Sequence, residues 1–360
     1  MQFIDVSFDE ERIALGTWWR GRGPVTVARP RARVGDAPGD RAGTRGPGTE
    51  RRTWLLDRAT TERGRSCDAI PFRNMSIERV FVAGAGLMGH GIAQVHAAIG
   101  KRVMLYEPDR SRAEAGLARI AGNLDRAVTK GRLTADERSA ILGRIEPTDH
   151  QAAAADADLV VEAVFENADV KRRLWADLDE RAPTHAILAT NTSSISIDVL
   201  AEAVSAERRA RFVGMHFFSP VPVMPLIELI RGASTSDDTE AAIRSLAADM
   251  GKQVIVSADR PGFIVNRILM PLLAEAMRAY EEGLGTADDI DTGAKVGLNH
   301  PMGPLELADF IGLDVCLGIL RVLHGGLGGE QFRPPRVLEE LVAAGHLGQK
   351  TGRGFHTYPR

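Results

Sequence analysis

Gly84-Ala85-Gly86-Leu87-Met88-Gly89 is the stretch of this chain that decides its fold. An apolar run at residues 77–83 precedes it and predicts a strand, and the residues after it, up to about Gly100, are typical of a helix. In such a unit the first glycine permits a tight turn, the second lets backbone N–H groups approach a pyrophosphate, and the third lets the helix pack on the strand. The helix N-terminus adds a partial positive charge. The spacing predicts a dinucleotide-binding loop, with cofactor contacts from Gly84, Gly86, Leu87, Met88 and Gly89.

Glu107 ends the second predicted strand, 18 residues after Gly89. A carboxylate at this place accepts hydrogen bonds from adenosine ribose hydroxyls and repels a 2′-phosphate, so the predicted cofactor is NAD rather than NADP. Arg110 and Arg112 lie just beyond it and could soften that preference. The alternative is a turn that binds no nucleotide, with Glu107 merely solvated.

Apolar runs typical of buried strands alternate with helical segments after residue 75. The predicted strands cover residues 77–83, 102–106, 159–164 and 186–190, and the predicted helices include residues 110–130 and 171–181. This alternation is typical of an α/β fold with a Rossmann-type, doubly wound and mostly parallel sheet. After Pro261 only helices are predicted, with breaks at residues 283–285, 297, 301 and 325–326. We therefore predict an NAD-binding domain over residues 75–258 and an all-helical domain over residues 259–360.

Residues 1–74 differ from the rest because Arg, Gly and Pro recur there without helical or strand periodicity. This composition predicts a largely disordered extension. Trp18, Trp19 and Trp54 would suit an arm that binds a partner. We favour a non-functional extension ahead of a natural start at Met75.

Composition excludes several classes of protein. The 360 residues carry a formal net charge of -3, so there is no global basic field for nucleic acid. Cys67 and Cys316 form neither a disulfide framework nor a zinc-binding spacing, which favours a reducing, cytoplasmic setting and no metal. We predict no membrane span, because no uninterrupted apolar run of about 18 residues occurs.

The segment from Gly214 to Leu229 is the most informative for chemistry. Two apolar stretches flank a proline-rich reversal, and His216 and Glu228 are symmetric about Pro222. If the chain returns as an antiparallel strand, the two side chains face each other. The carboxylate would then orient one imidazole nitrogen and leave the other free to take a proton. A histidine merely satisfied within the core is the alternative.

Residues 77–358 resemble the 3-hydroxyacyl-CoA dehydrogenase family, close to its single-function 3-hydroxybutyryl-CoA members. Each short motif is weak alone, but their ordered combination is specific. The resemblance is carried by residues 84–89, 161–167, 191–194, 216–228, 259–267, 301–304 and 348–355.

The resemblance implies a role for each matching position. It makes His216 the catalytic base and Glu228 its orienting partner. It places Ser193 and Asn266 near the reacting end of the substrate, with Ser193 also near the cofactor. The positions implied to lie around the ribose and nicotinamide of NAD are Glu166, Lys171, Ser219 and Lys350, and those implied to meet CoA are Asn123 and Lys130.

Simpler structural roles remain open for several of these residues. Ser193 could cap the next helix, Asn266 could bridge helices, and Lys130 and Lys350 lie in solvated or glycine-rich turns. Two positions depart from the family pattern. Ser219 stands where many members have Asn, which puts nicotinamide positioning in doubt, and Glu107 replaces the commoner Asp.

The implied reaction is the reversible oxidation of an (S)-3-hydroxyacyl-CoA, of short chain length, to the 3-ketoacyl-CoA, as in fatty acid β-oxidation. The implied partner is a second copy of the chain, bound through the helical domain. Three alternatives stay open: the same chemistry on an acyl carrier protein, a dehydrogenase for free hydroxy acids or sugar acids, and a non-catalytic NAD-binding protein.

Overall fold

The structure is a computed structural model that describes residues 76–359. The predicted extension over residues 1–74, including its tryptophans and Cys67, lies outside the described residues. The division into domains at residue 258 stays a prediction.

One eight-stranded sheet organises the first part of the described chain. Its strands are β1 (Arg79–Ala83), β2 (Arg102–Tyr106), β3 (Ile145–Thr148), β4 (Leu159–Glu162), β5 (Ile187–Thr190), β6 (Phe212–Phe217), β7 (Leu226–Arg231) and β8 (Gln253–Ala258). They lie in the order β3-β2-β1-β4-β5-β6-β7-β8. Only β6 and β7 pair antiparallel. The strand order runs outward in one direction from β1 to β3 and in the other from β4 onward, so the sheet has its switch point between β1 and β4, where a doubly wound sheet opens a crevice for a ligand.

The sheet is apolar on both faces because helices cover both of them. Along β1, Val80 and Val82 belong to one buried cluster, whereas Phe81 and Ala83 belong to the other. Successive side chains of a strand point to opposite faces, so a strand covered on both sides carries a continuous apolar run. This explains why residues 80–83 are all apolar and do not alternate with polar residues.

Six helices accompany the sheet: α1 (Leu87–Ala98), α2 (Arg110–Thr129), α3 (Ala135–Leu142), α4 (Ala168–Arg181), α5 (Ile197–Ala201) and α6 (Asp237–Asp249). Polar side chains cap most of them. Asp109 accepts a hydrogen bond from the backbone of Ser111 at the start of α2, and Asn167 does the same for Val170 in α4. α2 buries Ile120 and Leu124.

The remaining helices are α7 (Val265–Glu281), α8 (Ala287–Thr292), α9 (Pro304–Ile311), α10 (Leu313–Leu327) and α11 (Arg336–Ala343). They share a third apolar core, which includes Leu273, Leu305 and Leu320. Among residues 76–359 no single helix is long and apolar enough to span a membrane. α9 and α10 meet that test only as a pair, across a 97° bend, and both contribute to this core.

The predicted architecture is confirmed, with local corrections. The break predicted at residues 325–326 is wrong, because α10 continues to Leu327 and ends at Gly328, which has a φ of 65°. The chain stays helical through Gly325 and Gly326, and a side chain at Gly326 would overlap Pro261. β3, α3, α6 and β8 were not predicted.

Candidate active site

The glycine loop joins β1 to α1 in the expected way. A side chain at Gly84 would overlap the backbone of Ala163 after β4, and one at Gly89 would overlap the Gly84 carbonyl. Around Gly86 there is open space where a Cβ would stand, and no side chain caps α1. The first N–H groups of α1 therefore remain available to an anion beside Gly86, which fits the pyrophosphate of a dinucleotide. Met88 packs against the core, whereas Leu87 is 64% exposed.

Glu107 is fixed against this loop. Its Oε2 accepts a hydrogen bond from the Ala85 N–H at 3.0 Å. The two arginines that could have softened the preference for NAD already have acidic partners, Arg110 with Glu114 at 2.9 Å and Arg112 with Asp109 at 3.8 Å. Glu107 thus supplies the negative charge at this edge of the loop.

His216 and Glu228 face each other across the antiparallel pair of β6 and β7, as their spacing predicts. Nδ1 of His216 lies 3.1 Å from Oε2 of Glu228, and both side chains are buried. The imidazole packs between the rings of Phe218 and Phe263, whose centroids are 4.5 and 6.2 Å away. The carboxylate therefore holds one ring nitrogen, and the protein fixes the plane of the ring.

The other oxygen of Glu228 binds the start of α7. Oε1 accepts hydrogen bonds from the backbone N–H groups of Ile264 at 2.6 Å and Val265 at 3.2 Å. The positive end of a helix stabilises a carboxylate placed there. Phe263, just before these residues, has a left-handed backbone with φ of 51° that directs the chain into the helix. Glu228 therefore links the sheet to the helical region.

The turn between β6 and β7 is held by a buried lysine that the sequence did not suggest. Nζ of Lys252 donates to the carbonyl groups of Val221 and Met224, both at 2.7 Å. Burial lowers the pKa of Lys252. Ser219, predicted near the nicotinamide, lies exposed at the start of this turn, before a cis peptide bond to Pro220.

Glu166 accepts several hydrogen bonds from the loop that follows β5. Its Oε1 accepts hydrogen bonds from the Thr192 hydroxyl at 2.6 Å and from the Ser193 and Ser194 N–H groups at 2.9 and 3.1 Å. Burial acts to raise the pKa of Glu166, but the nearby Lys171 ammonium and these donors outweigh it, so the pKa is lowered. Glu166 is thus an anion that fixes the position of Ser193.

Lys171 was expected near the cofactor, but its side chain is only 1% exposed. Its Nζ lies 2.5 Å from Oε1 of Glu162 and 3.2 Å from Oε2 of Glu166. The ammonium is enclosed between two carboxylates, so any influence on the cofactor passes through Glu166.

Ser193 and Asn266 are in contact with each other. Nδ2 of Asn266 donates to the Ser193 carbonyl at 3.2 Å, and Asn266 is buried in the first turn of α7. Ser193 does not cap the next helix, because Ser196 caps α5 through the Val199 N–H. Asn191 ties this loop to β6 by accepting from the Phe217 N–H at 2.8 Å.

The remaining predicted residues lie on other elements. Asn123, on α2, donates to Gln94 at 3.2 Å, and Lys130 is the exposed residue that ends the same helix. Lys350 lies in a short 3₁₀ turn and pairs with Asp314 at the start of α10 at 2.5 Å.

Sequence reasoning missed Glu162, Thr192, Lys252 and Phe263. Glu162 had a detectable signal, because a lone acid that ends a buried apolar strand needs a buried cation or donors. Within residues 76–359, no group of three or more His, Cys, Asp or Glu side chains could hold a metal ion.

The fold and this site define an oxidoreductase with a Rossmann-type dinucleotide-binding domain. Residues 79–260 match the family description "3-hydroxyacyl-CoA dehydrogenase, NAD binding domain", and residues 262–358 match its C-terminal domain. The chain belongs to the 3-hydroxyacyl-CoA dehydrogenase family, which confirms the resemblance, the NAD cofactor and the class of enzyme.

Proteins similar to this chain carry the name 3-hydroxybutyryl-CoA dehydrogenase. A probable 3-hydroxybutyryl-CoA dehydrogenase of Bacillus subtilis is 46% identical over 284 residues, covering 79% of this chain and 98% of the relative. The 3-hydroxybutyryl-CoA dehydrogenase of Bradyrhizobium diazoefficiens is 48% identical over 282 residues, covering 78% and 96%. The crystal structure of (S)-3-hydroxybutyryl-CoA dehydrogenase from Ralstonia eutropha superposes with a TM-score of 0.76 at 44% identity, covering 79% of this chain and 100% of that one.

Proposed function

We propose that this protein oxidises short-chain (S)-3-hydroxyacyl-CoA thioesters, such as 3-hydroxybutyryl-CoA, to 3-ketoacyl-CoA, and catalyses the reverse reduction. The observation that carries the proposal is the buried His216–Glu228 pair, at 3.1 Å, in a sheet that also bears the glycine loop. The names of the relatives above support the substrate class.

His216 is the proposed base. Glu228 engages Nδ1, so Nε2 is the nitrogen that takes the proton from the C3 hydroxyl of the substrate. The charge of Glu228 then stabilises the imidazolium, and in the reverse direction Nε2 returns the proton to the ketone oxygen. Bound NAD supplies the acceptor for the hydride that leaves C3. General acid–base catalysis of this kind contributes about 10²–10⁴-fold.

Ser193 and Asn266 are proposed to hold the oxygens of the substrate. Their hydrogen bond at 3.2 Å, and the anchoring of Ser193 by Glu166, fix both groups before the substrate binds. Preset geometry of this kind lowers the entropic cost of reaching the reactive arrangement. Ser219 and Lys350 are proposed cofactor contacts, and Asn123 and Lys130 proposed contacts with CoA.

A single assay tests the proposal. The full chain is mixed with acetoacetyl-CoA and NADH, and the absorbance of NADH is followed, with longer 3-ketoacyl-CoAs and with NADPH in parallel. We expect turnover with acetoacetyl-CoA and NADH, and much weaker activity with NADPH because Glu107 repels its extra phosphate. Activity only on a substrate bound to acyl carrier protein, or only on free hydroxy acids, would contradict the proposed substrate. Tight NAD binding without any turnover would contradict catalysis.

We also propose that the helical region binds a second copy of the chain. α7 exposes Ile268 by 67% and Leu272 by 42%, and α10 exposes Val315 by 44%, which leaves apolar surface uncovered. Light scattering after size-exclusion chromatography should give the mass of a dimer, and Ile268→Glu should give a monomer. A monomeric wild-type protein would refute this part. The cytoplasmic setting stays a prediction.

A further inference from the structure

Three charged side chains form a row that ends at the loop carrying Ser193. They are Glu162, Lys171 and Glu166. Glu162, at the end of β4, is fully buried, Lys171 is 1% exposed, and the Glu166 side chain is 36% exposed. The row therefore leads from the core of the sheet to the surface of the proposed site. Glu162 and Lys171 are too deep to touch a bound molecule directly.

Glu162 is fully satisfied at the buried end of the row. Its Oε1 accepts from Lys171 at 2.5 Å and from the Val164 N–H at 2.9 Å, and its Oε2 accepts from the Thr190 hydroxyl at 2.6 Å. The ammonium of Lys171 lies closer to Glu162 than to Glu166, which is 3.2 Å away. Glu162 is therefore the main partner of the Lys171 ammonium. The negative charge of Glu166 remains for the loop that carries Ser193.

The row holds two carboxylates and one ammonium, so its net charge is one negative unit. Glu166 delivers that charge to the Ser193 loop through the backbone N–H groups of Ser193 and Ser194. In the proposed function this loop lies at the nicotinamide end of the cofactor. NAD⁺ and NADH differ in charge only at that ring, which is positive when oxidised and neutral when reduced.

We propose that Glu162 is a positioning residue that, through Lys171, holds Glu166 as an anion below the Ser193 loop, and that the net negative charge of the row favours NAD⁺ over NADH. This inference rests on the proposed function for the location of the nicotinamide. It assigns a role to Glu162, which the mechanism above does not use.

The test compares dissociation constants for NAD⁺, by calorimetry, and for NADH, by fluorescence, in the full chain. Glu162→Gln keeps an oxygen that can accept hydrogen bonds but makes the row neutral. A unit charge acting over about 12 Å changes an equilibrium about tenfold at an effective dielectric constant of about 20, and about threefold at about 40. We therefore expect the ratio of Kd for NAD⁺ to Kd for NADH to rise about threefold to tenfold.

Two further variants separate charge from geometry. Thr190→Val removes a donor to the same carboxylate without changing the charge, so both constants should change by the same factor. The double variant Glu162→Gln/Lys171→Met leaves Glu166 alone with the original net charge, so the ratio should return to within about twofold of the wild type. It also avoids a buried lysine without its inner partner, should Glu162→Gln alone fold poorly.

The inference is wrong if Glu162→Gln weakens NAD⁺ and NADH binding equally, or if the double variant keeps the altered ratio. Reduction of acetoacetyl-CoA by the wild type tests the proposed function separately, because it needs none of these variants. A wild type that lacks this activity but shows the expected ratios would overturn the proposed substrate and leave the charge effect standing.

Discussion

Glu162 and Glu228 are both fully buried carboxylates of one sheet, yet they face different partners. Glu162 pairs with the Lys171 ammonium at 2.5 Å and also accepts from the Val164 N–H and the Thr190 hydroxyl. Glu228 meets an imidazole at 3.1 Å and the first N–H groups of α7. Glu162 therefore belongs to an ion pair of the core, whereas Glu228 joins a titratable ring to another part of the fold.

The difference concerns the part that each partner plays in the proposed function. In the Glu162 region the partner is a lysine enclosed between two carboxylates, too deep to touch a bound molecule. In the Glu228 region the partner is the imidazole that, in the proposed function, passes a proton to and from the substrate. The four experiments below test this assignment.

Replacing the ring should have the largest effect. We expect His216→Gln to lower kcat by about 10³–10⁴-fold, because the base is removed while the loop that binds NAD is untouched. Steady-state kinetics with acetoacetyl-CoA measure the loss, and the Kd of NAD⁺ serves as the control. A variant that keeps near wild-type kcat would refute His216 as the base.

Replacing Glu162 should destabilise the fold more than replacing Glu228. Glu162→Gln removes the nearer of the two carboxylates that pair with the buried Lys171, so we expect it to lower the free energy of unfolding by about 3 kcal/mol. Glu228→Gln keeps neutral partners and should lose about 1–2 kcal/mol. Urea unfolding of both variants gives the comparison. Equal losses would show that the two carboxylates are energetically alike.

The same two variants should rank in the opposite order in catalysis. Glu228→Gln no longer stabilises the imidazolium, and we expect kcat to fall about tenfold to a hundredfold, an effect of about 1.4–2.7 kcal/mol on the barrier. Glu162→Gln should change kcat less, because Glu162 is fully buried and does not touch the imidazole. Rates measured at saturating substrate and cofactor decide the order, and a larger loss in Glu162→Gln would reverse the assignment.

His96 sharpens the comparison, because it is a buried imidazole without a carboxylate. Its Nδ1 donates to the Ile92 carbonyl at 2.8 Å and its Nε2 has no hydrogen-bond partner. Burial lowers the pKa of His96 to about 4, helped by Lys101 and Lys252 and opposed by the Ile92 carbonyl.

Acid should therefore destabilise the fold through this residue. The unfolded chain binds a proton at His96 as the pH falls below about 6.5, whereas the folded chain does so only near about 4, so stability is lost across that window. We expect a loss of about 2 kcal/mol between pH 7 and 5 that is absent in His96→Leu. Urea midpoints at several pH values measure it. The exposed His150 gives a control, His150→Gln, and a His96→Leu profile that matches the wild type would contradict the idea.

Features set by local sequence were predictable. The glycine loop needs only a strand, three glycines and a helix, and the facing of His216 and Glu228 follows from their symmetry about a turn. β3 was missed because Ile145-Glu146-Pro147-Thr148 contains a proline and an acid, which a strand tolerates at the edge of a sheet. The enclosure of Lys171 depends on Glu162 in another element and on the folding of the β4–α4 loop. No spacing rule supplies that arrangement.

The hydrogen bonds between Glu228 and the start of α7 also limit which sequence changes this part of the chain can accept. Ile264 and Val265 contribute main-chain groups, not side chains, so substitutions along this segment preserve the contact as long as the helix begins at the same place. An insertion or deletion between β8 and α7 would displace those amides whatever residues it contained. This contact is therefore insensitive to substitution of Ile264 and Val265, while the length of the chain between β8 and α7 is constrained.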